Sequence, residues 1–268
     1  MTLLTGRGQG VAADRMSVAG IELEIVRAGQ GRGPKLLMLH GFETIPLAAP
    51  FLEPFARHFE VIAPSAPGFG RSPRPDDVSH VYDLVHLYLA LLDGLGRKAV
   101  VMGFSFGGWL AAEIAAASCH RIERLVLVDA LGLKLSDRET PDILDIFNTH
   151  PREVTKRRWH DPARFAPDFN AMSDEELVLY ARNREALCRY GWHPYMYNPQ
   201  LKRWLSRIAV PTLVLWGEAD GIVAPAYGRA YAALIPGARF ATIPGAGHHP
   251  EIEQPRVFAD AVLDFLVP

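Results

Sequence analysis

Residues Val101 to Trp109 read V-M-G-F-S-F-G-G-W, a serine between glycines that ends a β-like apolar run and opens an alanine-rich helical one. A serine at a strand-to-helix junction sits on a sharp, strained turn with its Oγ raised above the sheet edge. The turn crowds backbone against backbone on both sides, and glycine at 103 and 107 leaves the room it needs. The pentapeptide alone arises by chance in roughly one chain in ten of this length. Its setting is what constrains the fold, because strands here must feed directly into helices.

That alternation runs through most of the chain. Ser17 to Val26 alternates about a glycine and predicts a β-hairpin, and Lys35 to Leu39 is a continuous apolar strand of the kind buried on both faces. A helix over 51–59, a strand over 61–63, a helix over 81–95, a strand over 99–102, a helix over 108–117 and a strand over 125–128 follow in turn. The rhythm breaks near Leu131. It returns with a strand over 212–216, a helix over 224–234, a strand over 239–243 and a helix over 251–266. Such a pattern predicts an α/β architecture, a doubly wound, mostly parallel sheet with helices on both faces. Residues 132–207 are polar, aromatic and helix-leaning, so they are expected to form a helical insertion into a core made of 15–131 and 208–268. Residues 1–14, glycine-rich and aperiodic, are expected to be a flexible tail.

Composition narrows the function. With 28 basic and 30 acidic side chains, the net charge of −2 gives no electrostatic footprint for nucleic acid or an anionic membrane. Two cysteines, Cys119 and Cys188, support neither a disulfide framework nor a thiolate metal site. No apolar run approaches the roughly 20 residues that span a bilayer, and the first residues lack a secretory pattern. A cytoplasmic protein without metal or organic cofactor is expected, and base rates are compatible with a homodimer without the sequence itself pointing to one.

Ligands of open parallel sheets sit at the carboxyl ends of the strands. The reactive side chains just after predicted strands are His40, Ser65, Ser105, Asp129, Asp220 and the pair His248 and His249. A serine hydroxyl needs a base, and the base needs a partner that fixes its tautomer. His248 is the preferred base because the turn Ile243 to Gly247 can aim it back across the strand ends; His249 is its competitor. Asp220 is the preferred acid, lying after the serine and before the histidine in the chain, with Asp129 the runner-up. The backbone N–H groups of Phe106, at the start of the helix, and of Phe42, after His40-Gly41, are the expected oxyanion donors. His40 is read as a structural residue beneath that loop.

These pieces together resemble the α/β-hydrolase superfamily over nearly the whole chain. The matching segments are Leu39-His40-Gly41-Phe42, Ala66 to Ser72, Gly103 to Gly108, Gly217 to Asp220, and Gly247-His248 with Glu253-Gln254-Pro255. The resemblance implies an eight-stranded, mostly parallel sheet with a helical cap inserted after the sixth strand, and it makes Pro67 to Gly70 a loop at the site entrance. It disfavours haloalkane dehalogenases and epoxide hydrolases, which carry aspartate where Ser105 stands. Meta-cleavage product hydrolases use serine but usually have a glycine-rich, proline-containing loop after the His-Gly pair; here that stretch is F-E-T-I-P, Phe42 to Pro46. Glu43 is a departure, and it is expected to face outward or toward the cap.

The insertion is rich in aromatics, and Trp159, Trp192 and Tyr195, with Phe104 from the core, are expected to line an apolar pocket. The resulting expectation is a carboxylesterase-like enzyme that uses water to cleave a small-to-medium hydrophobic ester through Ser105, His248 and Asp220. Alternatives on the same fold are a carbon–carbon bond hydrolase, a cofactor-free dioxygenase or perhydrolase, and a ligand receptor without turnover.

Overall fold

The structure, a computed structural model, describes residues 10–31 and 33–267. Eight strands form one sheet in the order β1-β2-β4-β3-β5-β6-β7-β8. β1 (Val11–Val18) and β2 (Ile21–Ala28) make an antiparallel hairpin, and β2 also runs antiparallel to β4 (Glu60–Pro64). Every other pairing, through β3 (Lys35–Leu39), β5 (Ala99–Phe104), β6 (Ile122–Val128), β7 (Thr212–Gly217) and β8 (Arg239–Ile243), is parallel.

The hairpin corrects one expectation. Val11 to Asp14 belong to β1 and pair with Ala28 to Ile25, so the tail read from sequence ends before them. β1 is an edge strand with mostly exposed side chains, so it carries no hydrophobic period to announce it. Backbone pairing and the Arg27–Asp14 ion pair, 2.9 Å, hold it instead. Residues 1–9 of the same expected tail lie outside the described residues.

The central strands are buried on both faces because their apolar residues split two ways with the period of the pleat. Val101, Leu125 and Leu127 point into one core, against α2 (Val81–Gly94), α3 (Phe106–Ala117) and α8 (Pro225–Ala233). Val100, Met102, Val126 and Val128 point into the other, against α1 (Leu52–Ala56) and α10 (Pro255–Leu266). The helix read as 251–266 is two, because Pro255 opens α10 after the short α9 (Pro250–Glu253) and Gln254 between them is not helical (φ −131°, ψ 55°).

Between β6 and β7 run α4 (Pro151–Arg158), α5 (Pro162–Phe165), α6 (Asp174–Gly191) and α7 (Leu201–Trp204). Ser173 and Glu176 cap the start of α6 reciprocally. This stretch is tied to the loop after β4 by specific bonds: Asn183 Oδ1 accepts the Gly70 N–H at 2.8 Å, and the Tyr190 hydroxyl donates to Pro67 O at 3.0 Å. Among the described residues no helix is long and apolar enough to cross a membrane.

Candidate active site

In-register pairing of Leu39 with Gly103, Phe104 with Val128, Val128 with Leu215 and Gly217 with Ile243 lines up the carboxyl ends of five parallel strands. Whatever follows each strand is thereby brought to one edge. Ser105 stands between β5 and α3 in the left-handed region, φ 51° and ψ −112°. A non-glycine residue there is strained by about 1–3 kcal/mol and persists because its surroundings hold it. Its N–H donates to Val128 O at 2.8 Å, and its carbonyl accepts from Trp109 and Leu131 at 3.1 and 3.2 Å. The flanking glycines are needed for close approach: a Cβ on Gly103 would lie 2.1 Å from Gly107 O, and one on Gly107 2.1 Å from Leu39 O.

Ser105 Oγ lies 2.8 Å from His248 Nε2, and His248 Nδ1 lies 2.8 Å from Asp220 Oδ2. All three are buried. A carboxylate oxygen only accepts, so Nδ1 carries the ring hydrogen and Nε2 is left to accept from the serine. Asp220 is held by its own loop, its Oδ1 taking the Ile222 and Val223 N–H groups at 2.8 and 3.1 Å. Beside the serine, the N–H groups of Phe42 and Phe106 donate to no protein acceptor among the described residues. Phe106 is the first residue of α3, where the helix leaves such donors free.

The runners-up are engaged elsewhere. Arg158 donates its Nε–H to His249 Nε2 at 2.8 Å, so that nitrogen is an acceptor and Nδ1–H is directed to Glu251 Oε1, 3.1 Å away. Burial, then the Arg158 charge, holds the His249 pKa well below its usual value, so the ring is neutral. Glu251 is pushed up to about 7, chiefly by burial. Glu43 reaches toward the inserted helices and pairs with the Arg158 guanidinium. His40 accepts the Ala66 N–H on Nε2 and faces Gly41 O with Nδ1, both at 2.9 Å; burial takes it down to about 4, and it acts as a neutral strut. Ser65 bonds to Glu24 at a turn. Asp129 accepts the Gly217 N–H on Oδ1 at 2.9 Å and lies next to Asp220. Apart from this linked set of Asp129, Asp220 and His248, no three His, Cys, Asp or Glu side chains among the described residues lie close enough to share a cation.

Several contacts that shape the site have no signal in the sequence. The carbonyls of Arg157 and Arg158, at the end of α4, accept the Gly221 and His248 N–H groups at 2.9 and 2.8 Å. Glu253, buried on α9, accepts from Gly247 N–H at 2.6 Å and from His160 and Asp161 N–H at 2.9 and 3.0 Å. The inserted segment is thus bonded to both the aspartate loop and the histidine turn. Glu253 fell within a recognisable segment, but its role depends on partners about ninety residues away in the chain.

The cavity at Ser105 has two lobes that share Phe42, His248 and His249. The outer lobe, about 320 Å³, is lined by Phe51, Phe104, Trp159 and Phe165. The inner one, about 50 Å³, lies under the insertion among Leu131, Ile143, Leu187 and Tyr195, with Arg158 and Arg184 at its wall. The Tyr195 hydroxyl is occupied by Ile146 N–H and Leu144 O, so it offers the lobe its ring. Trp192 corrects an expectation: it lines neither lobe but is 58% exposed, at a separate groove with Tyr82 and Trp204. It follows the last residue of α6, where the chain leaves the helical face that meets the core, and composition alone cannot tell which aromatic of a helical segment turns inward.

A mostly parallel eight-stranded sheet with a serine on the turn after its fifth strand is the architecture of α/β hydrolases, and the model of the alpha/beta hydrolase family matches residues 36–261. The chain belongs to that family and is a hydrolase. It is 31% identical to a 2-hydroxymuconate semialdehyde hydrolase of Pseudomonas sp. strain CF600, over 91% of this chain and 93% of the relative. It is 29% identical to a pimeloyl-[acyl-carrier protein] methyl ester esterase of Xanthomonas campestris pv. campestris, over 88% and 96%. Among solved structures, a hydrolase from Pseudomonas aeruginosa PA01 superposes with a TM-score of 0.77 at 27% identity, covering 96% of this chain and 98% of that one. A meta-cleavage product hydrolase from Pseudomonas fluorescens IP01 shares the fold, with a TM-score of 0.75 at 21% identity over 94% and 97%.

Proposed function

We propose that the protein is a serine hydrolase that cleaves a hydrophobic carboxylic ester through a Ser105 acyl-enzyme, with residues 132–207 as its cap. The observation that carries this reading is the unbroken run of hydrogen bonds Ser105–His248–Asp220, each 2.8 Å, opening on a mostly apolar cavity. Ser105 Oγ attacks the carbonyl carbon as His248 Nε2 takes its proton, a general-base contribution of typically 10²–10⁴-fold. Asp220 keeps Nδ1–H fixed and stabilises the imidazolium that forms. The free N–H groups of Phe42 and Phe106 hold the oxyanion. As the C–O bond breaks, the imidazolium returns the proton to the leaving alkoxide. Water then attacks the acyl-enzyme with the same base and frees the acid. The outer lobe, bounded by Phe104 and Trp159, has the size and polarity for a medium apolar group.

Carbon–carbon bond hydrolysis is the second reading, favoured by one feature of the site. Arg184 lines the inner lobe, donates to Ile146 O at 3.3 Å and lies over the Phe147 ring, and pairs with no carboxylate among the described residues, which leaves its charge for a substrate bearing its own carboxylate. Relatives named for muconate-semialdehyde and dienoate substrates point the same way. The two readings separate on substrate. Turnover of p-nitrophenyl esters of rising chain length, with fluorophosphonate labelling lost in Ser105→Ala, supports the ester reading. Turnover of a 2-hydroxy-6-oxodienoate that outpaces every neutral ester and collapses in Arg184→Gln replaces it with the second.

A further inference from the structure

Asp129 is a buried acid that the hydrolytic steps above leave unused. It directly follows β6 in the left-handed region, φ 43°, and is 1% exposed. Its Oδ1 takes the Gly217 N–H, while its Oδ2 is enclosed with no hydrogen-bond partner. One carboxyl oxygen of Asp129, one of Asp220 and one ring nitrogen of His248 lie within 4.8 Å of one another. Two carboxyls this close and this far from water do not both stay ionised.

The N–H donors around the two carboxyls decide where the proton goes. Asp220 receives three N–H donors, from Ile222, Val223 and His248, whereas Asp129 receives one. Donors stabilise the charged form, so the single negative charge belongs on Asp220 and the proton on Asp129. A carboxylate has about four acceptor sites. Three on Asp220 are filled, and one lone pair on Oδ2 remains. An ionised Asp129 would leave Oδ2 as a buried, unpaired anion; a protonated one supplies the missing donor.

We propose that Asp129 is a neutral carboxylic acid whose Oδ2–H donates to the Asp220 carboxylate, making it a positioning residue that fixes the acid for His248. The inference rests on the Ser105–His248–Asp220 reading above. The titratable groups that face Asp129 are Asp220 on the loop after β7, Glu251 on α9 and His248 after β8. Burial comes first among the influences on Asp129, then the Asp220 charge, with Glu251 last, and all three raise its pKa well above the usual carboxyl value. The Gly217 N–H opposes them. Proton sharing lets two acids sit side by side in an apolar setting and still present one charge to the imidazole.

Asp129→Asn tests this, because asparagine keeps the acceptor for Gly217 and places an N–H where the O–H stood. Turnover is expected to stay within about threefold of the parent at every pH, since the donor to a charged acceptor survives. Asp129→Leu, which has neither donor nor acceptor, is expected to lower kcat by about tenfold or more with KM little changed. Infrared spectra of the parent at about pH 8, where an ordinary aspartate is ionised, are expected to show a protonated-carboxyl carbonyl band that Asp129→Asn removes. A loss in Asp129→Asn as deep as that in Asp220→Asn overturns the proposal, as does the absence of that band or full kcat in Asp129→Leu. Should the leucine variant fail to fold, the asparagine variant and the band decide. Ser105→Ala with undiminished turnover would sink the parent reading and leave the infrared result standing.

Discussion

Glu253→Gln isolates what the buried carboxylate behind the histidine turn contributes. Its two oxygens receive three backbone N–H groups, Oε2 from Gly247 and Oε1 from His160 and Asp161. Glutamine has the same shape but only one accepting oxygen. If that oxygen keeps His160 and Asp161, the side-chain amide meets the Gly247 N–H donor to donor, and if it flips, two N–H groups are orphaned. One buried unsatisfied N–H costs about 1–3 kcal/mol, and losing charge assistance on the bonds that remain adds about 0.5–1 kcal/mol each. The expected destabilisation is therefore about 2–5 kcal/mol, to be read from urea unfolding monitored by near-UV circular dichroism. Gly247 precedes His248, so relaxed positioning of the imidazole should also lower kcat/KM about tenfold on a p-nitrophenyl ester. An unfolding midpoint within error of the parent, together with kcat/KM within about twofold, would refute the idea that this carboxylate ties insertion and histidine turn together.

Further outcomes follow from the same geometry. Ser105→Ala should abolish fluorophosphonate labelling and lower kcat by about 10³-fold or more, while Ser65→Ala labels normally; labelling that survives in the alanine variant places the nucleophile elsewhere. At Gly217 an added Cβ would lie 1.8 Å from Gly247 O, so Gly217→Ala should displace both the aspartate loop and the histidine turn and yield insoluble or inactive protein; a soluble variant of normal activity contradicts this packing. Phe258 fills the core between Phe51, Phe55 and Phe104, and Phe258→Ala should cost about 3–5 kcal/mol in chemical denaturation with kcat nearly unchanged. Burial raises Glu251 from 4.5 to about 7, so the folded protein keeps a proton that the unfolded chain has released. The stability this gives is full below pH 4.5 and is lost as pH climbs to about 7, by up to about 3 kcal/mol. Glu251→Gln should flatten that slope in Tm measured against pH; parallel curves for the two proteins would count against it.

The strands that carry the site were legible because each has a strong local cause. Lys35 to Leu39, Val100 to Met102 and Leu125 to Val128 are apolar runs too short for helices, bounded by turn residues, and the structure buries them on both faces. Ser105 was legible for a related reason, since glycines on both sides of a serine between a strand and a helix record a steric need in the sequence itself. The part of β1 before Ser17 has no signal in the sequence because its order comes from pairing with β2 rather than from a buried face. Trp192 turns outward against expectation, because aromatic content says nothing about which way a side chain turns where a helix ends.

Sequence by itself determined the alternation of strands and helices, and with it the edge at which Ser105, the two aspartates and the two histidines would gather. It favoured Asp220 over Asp129 by chain order and His248 over His249 by the turn before it, with no packing to hold either choice. Only the tertiary structure shows which member of each pair reaches Ser105 and which is bonded elsewhere. Adjacent histidines have nearly the same local environment, but Arg158, 91 residues distant, donates to one and leaves the other for Ser105. Three N–H donors converge on Asp220 and one on Asp129. Hydrogen-bond partners from far along the chain set the tautomer and charge of a buried group, and no local pattern of residues encodes them.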